Sequence, residues 1–527
     1  MKTIVLILTS LLVCCCSFQG KSQLKQTENQ SMFIDRSSEF LTLQDKEKLK
    51  STFLNYQVMQ IDLPQLYSRT HSQKNNIRVT ISHGATVWEI ELHENEIRSI
   101  DYKYEQTTAN GRIEVPREAC GTFAGYVKSD PNSFVRMNVR EHSFSAIIFV
   151  NGTIHFIELL NQFLPEVSDQ LAIIYSQHDV VPKPGSCGGG SMMDKLEKNI
   201  QTLKPKVLEQ KHDQQTKTSV RDHQHLRSQQ ATSNNNQFQQ YALSTQGEAC
   251  KKLEIVTDSD YDNYTSCCGL KVTASEILDN LNNVEPLFQN QFAVEFQVLY
   301  QHEWTVSNDP YTETDVCDDN ALDRLDQFRD YWDNSSYWFY NNLHKDVAIL
   351  YSGINFDGGA VGCAYTSSLN NLFQGTVTKG IYMIVQTNDY PFGAFNWSTA
   401  SFTHLTAHEL GHIFGASHDG SASYLMSPTI STINTWSPQS LSQINSLLSN
   451  GQAIERLGTR YLITPLNTNG GVYSGGELNI KSNVTSTFGN LSIQGVDHVA
   501  VYGALTISTI LNGSVTMKIA PCSNSDY

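Results

Sequence analysis

Along residues 75–165 apolar and polar positions alternate with a period of two, the pattern of strands buried on one face. Residues 76–81 and 87–92 each alternate, 146–150 is a continuous apolar run, and Asn151-Gly152 is a hairpin turn before the strand-like segment 153–157. An antiparallel β domain is expected there. From Cys250 the period switches back and forth. Segments 253–256, 293–300, 347–351, 360–365 and 380–386 read as strands. Between them, 274–292 carries Ile277, Leu278, Leu281, Val284 and Leu287 at helical spacing, 321–332 is helical, and a second long helix runs over 399–416. Strands alternating with helices predict an α/β sandwich. Past residue 457 short apolar stretches are broken by Gly, Asn and Ser with almost no charge, which predicts a small all-β module. Residues 195–248 are rich in Gln, Lys, Ser, His and Asn with few aromatics, the composition of a solvated linker.

These shifts divide the chain into 1–20, 21–194, 195–248, 249–460 and 461–527. At roughly 150 residues per domain, 527 residues supply several cores. Hydrophobic residues at 39% and charged residues at 17% are globular values and exclude wholesale disorder. A net charge of −16 with no Lys/Arg cluster argues against nucleic-acid or anionic-membrane partners. The first residues, Met1-Lys2-Thr3, an apolar run over 4–16 and small polar residues after it read as a secretory signal peptide, so an extracellular protein is expected. Cys14-Cys15-Cys16 leaves lipoprotein acylation as a lesser alternative. The only other span candidate, 499–517, carries Gly503, Ser508, Asn512 and Gly513, so no transmembrane anchor is expected.

Export permits disulfides. Cys250, Cys267, Cys268, Cys317, Cys363 and Cys522 form an even set of six, open to 15 pairings. Cys120 and Cys187 are left over, free to pair with each other or to serve elsewhere.

The segment His408-Glu409-Leu410-Gly411-His412-Ile413-Phe414-Gly415-Ala416-Ser417-His418-Asp419 carries the chemistry. His408 and His412, four apart on a helix, share one face and can hold one ion. Gly415 lets the chain turn back and present His418 as a third nitrogen ligand. Three histidines leave the fourth tetrahedral position open for water, the arrangement of a catalytic zinc. Zinc lowers the pKa of that water towards ~7, and Glu409 can take its proton during attack on a peptide carbonyl. The full pattern H-E-x-x-H-x-x-G-x-x-H arises by chance on the order of once in 10,000.

This segment resembles the zinc motif of the metzincin metallopeptidases, and His418-Asp419 is similar to the reprolysin/adamalysin, ADAM-like branch. The resemblance implies that Asp419 pins the fold beneath the site. It also implies a methionine turn under the zinc, for which Tyr424-Leu425-Met426-Ser427-Pro428 is the candidate; its short spacing from His418 looks more like matrixins. Asp357-Gly358-Gly359-Ala360-Val361-Gly362-Cys363-Ala364-Tyr365 is similar to the reprolysin edge strand, along which substrate lies extended. Ser437 before Pro438 resembles the start of the family's C-terminal helix. The implied fold is a β-rich prodomain, an α/β metzincin catalytic domain with a mixed five-stranded sheet and a zinc cleft, and the small all-β module.

Residues 120–127 and the strands after them resemble a reprolysin prodomain. Pro182-Lys183-Pro184-Gly185-Ser186-Cys187-Gly188 looks like a cysteine switch, in which a thiolate takes the open zinc position and displaces the water. The competing reading pairs Cys187 with Cys120. The expectation is a secreted zinc endopeptidase made as a zymogen, with a protein or peptide substrate and its own propeptide as inhibitor. Two rivals stand beside it: an adhesion protein in which the C-terminal module acts and the zinc domain is a scaffold, and a zinc hydrolase acting on something other than peptide. No EF-hand loop is present, and a calcium site built from scattered carboxylates stays open.

Overall fold

The computed structural model describes residues 32–36, 38–182, 185–187, 249–265, 271–316, 323–333, 345–365, 381–388 and 397–449, and backbone strands between 459 and 511. The expected signal peptide, the whole 195–248 linker, and the side chains of Cys250, Cys267, Cys268, Cys317 and Cys522 lie outside them.

Nine strands close into a barrel: β1 (Phe33–Arg36), β2 (Gln57–Ile61), β3 (Ile77–His83), β4 (Thr86–Glu94), β7 (Thr122–Val127), β8 (Asp130–Val139), β9 (Phe144–Val150), β10 (Thr153–Leu159) and β11 (Leu171–Ser176). Pairing is antiparallel except where β1 meets β3 and closes the ring. Alternate side chains such as Phe33, Ile81, Trp88, Val135 and Ile148 fill the interior, which is the period-two pattern turned into a core. The β9–β10 hairpin turns through Asn151 (φ 51°) and Gly152 (φ 79°), backbone angles that Asn and Gly tolerate best. Two short helices, α1 (Leu43–Lys50) and α2 (Leu63–Ser72), complete this unit.

The second unit begins at β13 (Ala249–Ser259) and continues through α3 (Tyr261–Thr265), α4 (Ala274–Phe292), β14 (Val294–Trp304), α5 (Arg324–Asp333), β15 (Val347–Ser352), β16 (Ala360–Ala364), β17 (Tyr382–Gln386), α6 (Thr399–Ile413) and α7 (Pro438–Leu448). Helix α4 starts with a reciprocal capping box between Thr273 and Glu276 and ends at Ala293 in the left-handed region. Helix α6 is capped by Ser398, whose side chain accepts from the Ser401 amide. It stops at Ile413, three residues short of the expected end, because Gly415 (φ 88°) turns the chain back. Ser437 caps α7, with Pro438 in its first turn.

Strands β16-β17-β15-β13-β14 are neighbours in that order, and β16 alone among them runs antiparallel to its neighbour. They do not form a free-standing five-stranded sheet. The sheet has 12 strands, because other parts of the chain cover both edges. A two-residue strand, β12 (Ser186–Cys187), adds to β16 in parallel. The hairpin β5 (Arg98–Thr108) and β6 (Gly111–Val115), expected within the barrel domain, swings out and adds β5 to β14. An open edge offers a row of unpaired N–H and C=O groups, and here the chain itself satisfies them.

The start of β13 also pairs with β18 (Thr459–Ile463). Beyond it, β19 (Gly471–Ile480), β21 (Leu491–Val501) and β23 (Ile510–Leu511) stack in parallel, and β20 (Ser486–Phe488) pairs in parallel with β22 (Leu505–Ile507). No helix among the described residues is long and apolar enough to cross a membrane.

Helix α6 packs on α4, β16 and β17, and one hydrophobic core runs through these elements. That core continues into the outer face of the barrel, where Phe134 and Phe149 stack at 5.3 Å. The two units are therefore joined by apolar packing as well as by strand addition.

Candidate metal centre

His408 and His412 project from one face of α6, and both are buried. Each imidazole is oriented through its Nδ1. His408 Nδ1 lies 2.8 Å from the Leu425 carbonyl, and His412 Nδ1 lies 2.8 Å from the Ala416 carbonyl. A carbonyl only accepts, so each Nδ1 carries the hydrogen and each Nε2 keeps a lone pair for the site. Gly415 makes the second contact possible by folding Ala416 back against α6. The same turn brings His418 round until its Nε2 is 3.2 Å from that of His412.

Cys187 completes the set. Its Sγ and the ring nitrogens of His408, His412 and His418 all lie within 4.8 Å of one another. The sulfur is 3.5 Å from His412 Nε2 and 3.6 Å from Glu409 Oε2. It arrives there on β12, which is threaded between two walls. On one side Cys187 is in register with Gly362 of β16. On the other, the Cys187 amide donates to the Pro428 carbonyl at 3.2 Å and the Ile430 amide donates to the Gly185 carbonyl at 2.9 Å. Gly185 has to be small: a Cβ there would lie 2.9 Å from Val361 and 3.1 Å from Ile430. Cys120 sits in the barrel, buried, with its sulfur 3.3 Å from the Thr122 hydroxyl. Cys120 and Cys187 are both thiols, so the reading that pairs them is corrected.

Electrostatics agree with a cation site. Burial, followed by the neighbouring histidines, pushes His408 and His412 far below the usual imidazole range, His412 to about 3. They are neutral, the form that ligates metal. Burial pushes the Glu409 carboxyl up to about 8. A divalent cation beside it would reverse that preference. Within the site, His408 Nε2 and Glu409 Oε1 are buried without hydrogen-bond partners. Unpaired buried atoms are costly unless something else satisfies them, and a zinc ion and its ligands would do so. Three imidazoles and a thiol are a zinc donor set, so the residues fit the metal.

Glu409 lies between α6 and the edge strand. A Cβ on Gly362 would come within 2.6 Å of Glu409 Oε1, so only glycine leaves room for the carboxyl. Met426 is fully buried beneath the histidines. A Cβ on Gly411 would come within 2.5 Å of its sulfur, so the helix and the 424–428 turn approach with no side chain between them. The Met426 carbonyl accepts the Asp419 amide at 2.7 Å. The Asp419 carboxylate, also buried, accepts from the hydroxyls of Ser437 and Ser440 at the start of α7. Asp419 thus ties the loop of His418 to both the 424–428 turn and α7.

Sequence reasoning placed all three histidines, Glu409, Cys187, Met426, Asp419 and Gly415, and the structure brings them together. It missed Gly362 as the space for Glu409, and the carbonyls of Leu425 and Ala416, whose roles depend on how the loop closes. It also missed Glu158, a barrel carboxyl at the start of α6, which no motif marks.

Residues 246–468 match the family model Reprolysin_5, described as metallo-peptidase family M12. This part of the chain is a metallopeptidase domain. Among solved structures the chain is similar to metalloproteinase-II from Bacteroides fragilis, in its crystal structure, at 13% identity and a TM-score of 0.39, covering 74% of this chain and 96% of that one.

Proposed function

We propose that this protein is a secreted zinc endopeptidase of the metzincin type, on its reprolysin-like branch, made as a zymogen whose cleft is closed by Cys187. The observation that carries this reading is the convergence of Cys187 Sγ on the nitrogens of His408, His412 and His418, beside Glu409. The three histidines would hold the metal, and Cys187 would stand where the active enzyme has water. Bound there, zinc supplies Lewis-acid chemistry that activates water and polarises a carbonyl.

The chain's own groups account for the remaining steps. With Cys187 withdrawn, Glu409 faces the position the thiol has left. It takes a proton from the attacking water onto a carboxylate oxygen and passes it to the leaving amine, so the carboxylate is restored at the end of each turnover. Strand β16 offers its free edge to an extended peptide once β12 has gone, and this supports peptide as the substrate class. The segment 428–430, which now pairs with β12, forms the facing wall. Met426 and Asp419 hold the loop of His418 against α6.

The test uses the full-length chain, Cys187→Ser and Glu409→Ala with a quenched peptide library. Cys187→Ser should cleave at least tenfold faster than the wild-type chain, and a chelator should abolish that activity. Glu409→Ala in the Cys187→Ser background should bind zinc and cleave nothing. Cleavage that survives Glu409→Ala would refute the reading.

A further inference from the structure

Segment 428–434 faces strand β16 across the cleft. Apart from bonds within the turn itself, its hydrogen bonds among the described residues fall into three sets. Beside the metal centre it holds β12, through the Pro428 carbonyl and the Ile430 amide. At its far end it meets Gln177: the Thr432 hydroxyl donates to the Gln177 carbonyl at 2.6 Å, and the Asn434 amide donates to Gln177 Oε1 at 3.1 Å. Between these two sets the Ser431 amide donates to His404 Nε2 at 3.4 Å. A backbone amide only donates, so Nε2 is the bare nitrogen of a neutral ring. Burial agrees: the ring is 1% exposed and is pushed down to about 3.

His404 stands one turn before His408 on α6, on the face that also carries His412. Its ring centroid is 6.1 Å from that of His408. It is not one of the four donors that converge at the metal centre. Burying an imidazole costs desolvation that an apolar side chain of similar size would not. What His404 gains in return is a bond from the helix of metal ligands to the facing wall. When β12 leaves the cleft, the bonds of Pro428 and Ile430 to it go as well. Gln177 holds only Thr432 and Asn434. Among the described residues, positions 428–431 then keep the apolar packing of Ile430 and one hydrogen bond beyond their own turn, from Ser431 to His404. We infer that His404 is a positioning residue, which sets the spacing between the 428–431 wall and the metal ligands so that an extended peptide fits between that wall and β16. It acts on substrate binding and not on the chemical step, since it reaches the wall and not the reacting atoms. This inference rests on the peptidase reading above.

The experiment uses the zinc-loaded full-length chain carrying Cys187→Ser, with a quenched peptide that this parent cleaves. Adding His404→Leu, which fills similar space without an acceptor, should raise KM about tenfold and leave kcat within about twofold. Zinc content and melting temperature should stay near those of the parent. His404→Gln offers an acceptor oxygen to the Ser431 amide and should bring KM most of the way back. Acetohydroxamate, small enough to reach the metal without touching the wall, should inhibit the parent and His404→Leu alike. Should His404→Leu fail to fold, Ser431→Pro removes the donor from the other side and should raise KM in the same way. Unchanged KM, a loss confined to kcat, a loss of zinc, weaker inhibition by acetohydroxamate, or no recovery with His404→Gln each overturns the inference. No cleavage by the parent would overturn the peptidase reading and this inference with it, whereas cleavage that the variants leave untouched overturns the inference alone.

Discussion

Glu158 of the barrel binds the first residue of the helix that carries the metal ligands: its carboxylate accepts the Thr399 amide at 3.1–3.2 Å and the Thr399 hydroxyl at 2.8 Å. Tyr175, also from the barrel, donates to the same carboxylate and accepts the Ala400 amide at 3.3 Å. Two of the four amides that a helix start leaves unpaired are thus satisfied from outside the peptidase domain. A carboxylate there also meets the positive end of the α6 dipole.

Glu158 is fully buried, and burial pushes it up to about 7 against an ordinary value of 4.5. A group whose pKa is raised in the folded chain stabilises the fold most when it is protonated. Its contribution is complete below about pH 4.5 and is lost as pH rises through 7. The full-length chain should therefore be less stable at pH 8 than at pH 5 by about 2–3 kcal/mol from this group, and Glu158→Gln should lose that difference. Denaturant unfolding of the two chains at both pH values checks it.

Gly362→Ala should impair catalysis without loss of the metal. The added methyl would collide with Glu409 Oε1, and both the backbone of β16 and the helix behind Glu409 are fixed by packing. In the Cys187→Ser background, kcat should fall at least tenfold with KM little changed. Zinc content and melting temperature should stay near those of the parent. A fall in zinc content would mean that the strand as a whole had moved.

Asp419→Ala should destabilise the peptidase domain by about 1–3 kcal/mol, because the hydroxyls of Ser437 and Ser440 at the α7 cap would lose their buried acceptor. The loop of His418 would loosen with it. A lower melting temperature together with weaker zinc retention in a chelator titration is expected; Asp419→Asn, which keeps an acceptor oxygen, should recover part of both.

Chelation should lower the melting temperature of the full-length chain, and zinc should restore it. His408 and His412 are buried and neutral, and a metal shared with His418 and the thiol would satisfy His408 Nε2. Replacing His412 with Phe should abolish the zinc-dependent shift and leave the barrel's own melting unchanged.

The ligands were legible because they lie in one short segment. Five residues of α6 and one turn beyond it determine where His408, Glu409, His412 and His418 can point, and helical periodicity is a local property. Helix α4 was legible from its apolar spacing, but nothing in that spacing says what meets its polar positions. Asp279, Asn282, Asn283 and Glu285 are buried under the barrel. Polar residues look alike in sequence whether water or a complementary protein surface meets them. The hairpin β5–β6 was legible as strands but not as strands of the peptidase sheet, since period-two alternation specifies faces and not partners.

The amino-acid sequence by itself determined that His408, Glu409, His412 and His418 fall in one short segment, the cap at Ser437, and the turn at Gly415. Each depends on residues within a few positions of one another, where backbone geometry leaves few choices. Tertiary structure alone decided that Cys187 meets the histidines rather than Cys120, that Gly362 makes room for Glu409, and that Glu158 completes the start of α6. These meetings join segments far apart in the chain, and they depend on how two cores and one shared sheet pack together, information that no local pattern contains.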